Sequence, residues 1–325
     1  MPCRTGSHST LLSALVLVLL AGCRTTPDFD PRYRPAENVL EVVAVLRAHI
    51  PDDTYRFPPA RDFTGRNVYR SSLLRLESIE QLHEDALRAG HMTGVIAFAK
   101  GRSFERMRAY DLASQSYLVA AEADPTLRAE SLHSADVCDS FMRVIATGPS
   151  EDLTDVEIQA RHISGTSPET VVAAFEDQIS LLETLGEVVS GTHHYYIVDE
   201  EVERSDVARG QYFAGLRKVL PDGDVRAVAE FQRLVVRHPD SKNLNRHLLA
   251  LADLYVDLAV EYAGAHPPEG LNFDPARFQE LIDAGTRLYE MVANQDGTPE
   301  KLEASRRLEA FLAFALAIDN DRFTP

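Results

Sequence analysis

Two adjacent histidines followed by two tyrosines, His193-His194-Tyr195-Tyr196, are the residues whose types best suit metal binding or proton transfer. Their spacing works against a metal role. Neighbouring residues on a helix point about 100° apart, so the two imidazoles do not chelate one ion well. Placed just after Ser190-Gly191-Thr192, at an expected helix start, they read as a surface or capping pair. A second concentration of chemistry follows in Asp199-Glu200-Glu201-x-Glu203-x2-Asp206. Carboxylates that work as an acid/base pair must face each other across a cleft, which neighbours on one helix do not do. The run reads as a solvated face, with a weak calcium site or repulsion that keeps it open to a basic partner as alternatives. Asp319-Asn320-Asp321 lacks the glycine and distal glutamate of a calcium loop and reads as terminal fray.

No nucleotide-binding, zincin, nucleophile-elbow or dinucleotide motif is present: G-x-x-x-x-G-K-[ST], H-E-x-x-H, G-x-S-x-G and G-x-G-x-x-G are all missing. The reading is therefore non-catalytic, with no cofactor and no metal expected. A site assembled from residues distant in the sequence stays open as a third possibility.

The chain has 325 residues, 26% charged and 45% hydrophobic, with a net charge of −17. That composition belongs to globular proteins, and the acidity argues against nucleic acid or an anionic membrane face as partner. All but four of the 33 basic residues are arginine, the lysines being Lys100, Lys218, Lys242 and Lys301.

The N-terminus carries an address. Arg4 precedes an apolar run, Leu11–Leu20, that is too short to cross a bilayer and fits a signal segment. It ends in Leu20-Ala21-Gly22-Cys23, which resembles the lipobox of bacterial lipoproteins. The resemblance implies cleavage after Gly22 and acyl chains on Cys23, enough for stable membrane anchoring. Arg24 in the place of an aspartate favours, by the same resemblance, the outer membrane facing the periplasm. Residues 1–22 are thus a signal peptide, 23–35 a proline-rich tether and 36–325 the folded body. Of the cysteines left, Cys23 is taken by lipid, and Cys138 sits at helical spacing with Leu132, Ala135 and Met142, as a buried, inert thiol would.

The body reads as all-α. Helical periodicity recurs over 37–49, 67–89, 94–107, 111–123, 126–146, 154–163, 168–190, 195–220, 224–237, 242–264, 275–294 and 299–318. Ser167-Pro168, Asp274-Pro275 and Thr298-Pro299 place a capping oxygen before a first-turn proline, and Thr154 with Glu157 has capping-box spacing.

One segment has a sharper signature. Gly101-x2-Phe104 followed by Ala113-x3-Tyr117-x2-Ala120-x4-Pro125 resembles the tetratricopeptide repeat (TPR), and Gly215 with Ala227-x3-Phe231-x2-Leu234-x4-Pro239 repeats the spacing. The hairpins fall near 94–127 and 208–241, an offset that is not a multiple of the 34-residue period. The expectation is an irregular TPR-like solenoid of antiparallel helical hairpins. With the lipid address, it is similar in outline to lipoprotein subunits of outer-membrane protein assembly. The resemblance implies a partner groove lined by the first helix of each hairpin. Carried over, it offers Val95, Phe98, Arg102, Glu105 and Arg106, then Arg209, Tyr212, Leu216 and Val219. The expected function is a lipid-anchored envelope scaffold that binds a protein or peptide. The alternative is a transporter-associated lipoprotein enclosing a small solute, suggested by Tyr195, Tyr196, Tyr212 and Phe213.

Overall fold

The computed structural model describes residues 68–89, 92–151 and 153–321. The signal segment, Cys23, the tether and the expected helix over 37–49 lie outside them. Every regular element among the described residues is helical: α1 Val68–Ala89, α2 Thr93–Arg106, α3 Tyr110–Ala123, α4 Arg128–Thr147, α5 Asp155–Ile163, α6 Pro168–Val188, α7 His194–Leu216, α8 Gly223–Arg237, α9 Leu244–Ala265, α10 Pro275–Ala293 and α11 Glu300–Asp321. The Asp319-Asn320-Asp321 stretch, expected to fray, continues α11 to its end. Among the described residues no helix is long and apolar enough to cross a membrane.

Side-chain oxygens start several helices where the sequence places them. Thr154 and Glu157 form a reciprocal capping box at α5. Ser167 accepts from Thr170 N ahead of Pro168, and Asp274 accepts from Ala276 N ahead of Pro275. Thr298 differs, turning its hydroxyl back to the Gln295 carbonyl.

Helices stack largely in chain order, as consecutive hairpin-like pairs, consistent with a solenoid-like arrangement. Small residues set the approach. A Cβ on Gly101 would lie 2.7 Å from the Tyr117 ring, so only glycine lets α2 close on α3. In the second match the partners differ: Gly215 faces Ile158 and Asp155 of α5, while Gly210 receives the ring of Phe231. The irregular offset has a physical cause. The nine-residue α5 packs on α7, and α4 meets α6 directly, so a short helix is inserted into the stack.

Tyr110, Tyr117, Phe141 and Leu182 fill the first core, Phe175, Tyr212 and Phe231 the second, and Phe278, Tyr289 and Phe311 the third. α7 lies between the first two and is buried along most of its length, leaving Tyr195, Tyr196, Asp199 and Gln211 exposed. It has no polar face, which is the pattern of an interior helix.

Candidate functional site

α7 nevertheless carries charged side chains into the interior, and each meets a partner from a different part of the chain. Glu201 is buried and receives Arg108 on both oxygens, Nε at 2.7 Å and Nη2 at 2.6 Å, with the Tyr110 hydroxyl donating at 2.8 Å. Glu203 meets His247 Nε2 at 2.5 Å and accepts from the Ser241 hydroxyl at 2.7 Å. Asp206 accepts from Arg233 at 2.5 Å and meets His238 Nε2 at 2.8 Å. Glu200 pairs with Arg106 at 3.0 Å and with Lys242. Apart from the exposed Asp199, the acidic run is therefore not the solvated face expected of it. Helical geometry turns successive carboxylates toward different neighbours, and those neighbours supply the cations from within the chain.

The second charged focus lies where α2 meets the start of α7. Glu105 is fully buried, and Tyr117 donates its hydroxyl to Oε2 at 2.8 Å. His193 Nε2 lies 3.0 Å from Oε1 and His194 Nε2 3.2 Å from Oε2, with the two ring centroids 3.7 Å apart. Cys138 Sγ is 3.9 Å from Oε2. Burial alone would raise the Glu105 carboxyl, but His193 and His194 outweigh it and hold it well below the usual value. Burial depresses His193 to about 4 against the pull of Glu105, leaving a neutral imidazole beside an ionised carboxylate. Burial, and the Glu105 charge next, push the Tyr117 hydroxyl and the Cys138 thiol up, so both keep their protons.

This corrects the reading of the histidine pair. His194 is 1% exposed, His193 makes no side-chain cap hydrogen bond, and both converge on a carboxylate 88 and more residues away in the chain. Sequence spacing could not reveal Glu105 as the third member.

The groove residues carried over from the repeat resemblance are corrected too. Glu105, Arg209, Tyr212 and Leu216 are buried, because the helices around α7 cover the face that a solenoid leaves open. Arg209 joins Glu176 and Glu230 across α6 and α8. Arg106 turns to Glu200, and Arg102 reaches Glu130 while lying over the ring of the half-buried Phe98. Val95 is half-buried, and Val219 alone of the set is exposed. Arg108 and His247, the partners of Glu201 and Glu203, were missed. The uniform wheel of α7, apolar residues alternating with acids and no polar face, was the available signal.

The aromatic quartet is divided. Tyr212 and Phe213 are core, whereas Tyr195 and Tyr196 are exposed. The cavity beside Tyr212 measures about 90 Å³, far below a small-molecule pocket. A larger open groove of about 420 Å³ runs along the start of α7 and the α8–α9 turn, lined by Tyr196, Asp199, Glu200, Arg237, His238 and Lys242.

No known protein family matches the chain, and no curated protein matches it.

Proposed function

We propose that this protein is a lipid-anchored, non-catalytic scaffold of the bacterial envelope that holds another protein through its helical stack. Leu20-Ala21-Gly22-Cys23 at the end of a signal-like segment supports the anchor, at the outer membrane facing the periplasm. Repeat-like spacing at Gly101–Pro125 and Gly215–Pro239 supports a binding role of the TPR type. The observation that carries the reading is the groove beside α7, which is open, carries both charge signs and has the exposed Tyr196 at its edge. Tyrosine offers a rigid, half-polar anchor of the kind enriched at protein interfaces. The residues first assigned to the groove give way to Tyr196, Asp199 and Lys242.

The test places a photoreactive amino acid at position 196 or 199 in cells and captures the cross-linked product from detergent-solubilised envelopes. One recurrent envelope protein, cross-linked from the groove and not from Val156 on exposed α5, supports the proposal. Failure to capture any partner from either groove position, while a small solute raises the melting temperature of the purified chain, contradicts it.

A further inference from the structure

We propose that Glu105, His193 and His194 form a binding site for one first-row divalent metal ion, with Zn²⁺ the best match, that ties α2 to the start of α7. Among the described residues these three offer one ligand atom each within 4.8 Å of one another. His193 Nε2 lies 3.0 Å from Oε1 and His194 Nε2 3.2 Å from Oε2, each close to the ligand–ligand separation of about 3.3 Å expected around Zn²⁺ with bonds of about 2.0 Å, so each imidazole would share the ion with its own carboxylate oxygen. Two imidazoles and a carboxylate suit Zn²⁺ among the borderline ions.

A second observation points the same way. His194 Nε2 is buried and aimed at Glu105, yet lies outside hydrogen-bond alignment with it and has no other hydrogen-bond partner. A metal ion would satisfy that lone pair. The formal cation beside the site, Arg102, stands 3.9 Å from Oε1; its Nη1 makes no hydrogen bond, and its Nη2 is committed to Glu130. Arg102 thus gives the carboxylate no hydrogen bond. Outer contacts of the kind that orient metal ligands are in place: Tyr117 donates to Oε2, and Thr192 Oγ1 lies 3.4 Å from His194 Nδ1. Burial of Glu105 and His194 shuts out a substrate, so the ion's role is to staple the α2–α3 hairpin to α7.

The test uses the full chain in detergent, untagged and stripped with chelator, titrated with Zn²⁺ by calorimetry and with Co²⁺ by visible absorption. The expected result is one ion per chain, Co²⁺ bands of low coordination number, and a rise in melting temperature with excess Zn²⁺. His193→Asn, at the least buried ligand, keeps its helical circular dichroism and loses at least tenfold in affinity. Thr192→Val, which touches no ion, weakens binding by a smaller factor. Absence of binding overturns the site. So does binding whose affinity and Co²⁺ spectrum are unchanged in His193→Asn, which would place the ion elsewhere.

Discussion

Arg108 and Glu201, 93 residues apart, are joined by two parallel hydrogen bonds, and Arg108 holds a left-handed backbone, φ 60°, to make them. The same guanidinium grips Glu151 with two further bonds of 2.9 Å. A non-glycine residue at positive φ is strained, and it persists only where the surroundings over-determine it. Here the three-residue turn between α2 and α3 is bent so that one arginine can link the hairpin, α7 and the segment leading to α5. Burial alone would lower the guanidinium's affinity for its proton, but Glu151 and Glu201 raise it further than burial lowers it.

Arg108→Ala should cost about 3 kcal/mol, because it leaves Glu201 buried without its principal cation. Arg108→Gly loses the same ion pairs but relieves the backbone, and should be about 1 kcal/mol more stable than the alanine variant. Urea unfolding of both variants checks the ordering. Equal stability of the two would mean that the turn is unstrained.

Gly101→Ala should destabilise by about 1–3 kcal/mol, since the added methyl would meet a ring that Glu105 and the core hold in place. Tyr117→Phe keeps the ring and removes one donor from a buried carboxylate, at a cost of about 1–3 kcal/mol. Thermal unfolding of each variant reports the loss, and a neutral Gly101→Ala would show that α2 and α3 can separate freely.

Acid should weaken the fold at the two other buried carboxylates of α7. Burial alone would raise Asp206, but His238, Arg233 and Arg237 hold it below the ordinary 3.8. Burial would likewise raise Glu203, but His247, Ser241 and Asn243 hold it below 4.5. The folded state therefore binds these protons less tightly than the unfolded chain. The stabilisation is complete above those ordinary values and is lost as pH falls through the depressed ones. Asp206→Asn should lower stability at pH 7 and flatten the decline below about pH 4. Urea midpoints from pH 7 to pH 3 would show it, and parallel curves for the two proteins would refute it.

Helix positions were legible because their signals are local: Thr154 with Glu157, Ser167 before Pro168 and Asp274 before Pro275 act within one turn. The α2–α3 hairpin was legible for the same reason, Gly101 and Tyr117 being neighbours across a three-residue turn. The charged interior was not. Glu105 meets His193, and Glu203 meets His247, across 88 and 44 residues, and nothing near either partner marks the encounter. The repeat resemblance placed Arg209, Tyr212 and Leu216 on an open groove because a regular solenoid leaves that face bare; the inserted α5, packed on α7, helps to cover it.

The proposed scaffold depends on lipid at Cys23 and on a partner held by the helical stack. Mass spectrometry of the mature N-terminal peptide from purified envelopes tests the anchor most directly. The expected result is a chain beginning at Cys23 with the mass of a diacylglyceryl group on its sulfur. An unmodified peptide running through Gly22-Cys23 would contradict it.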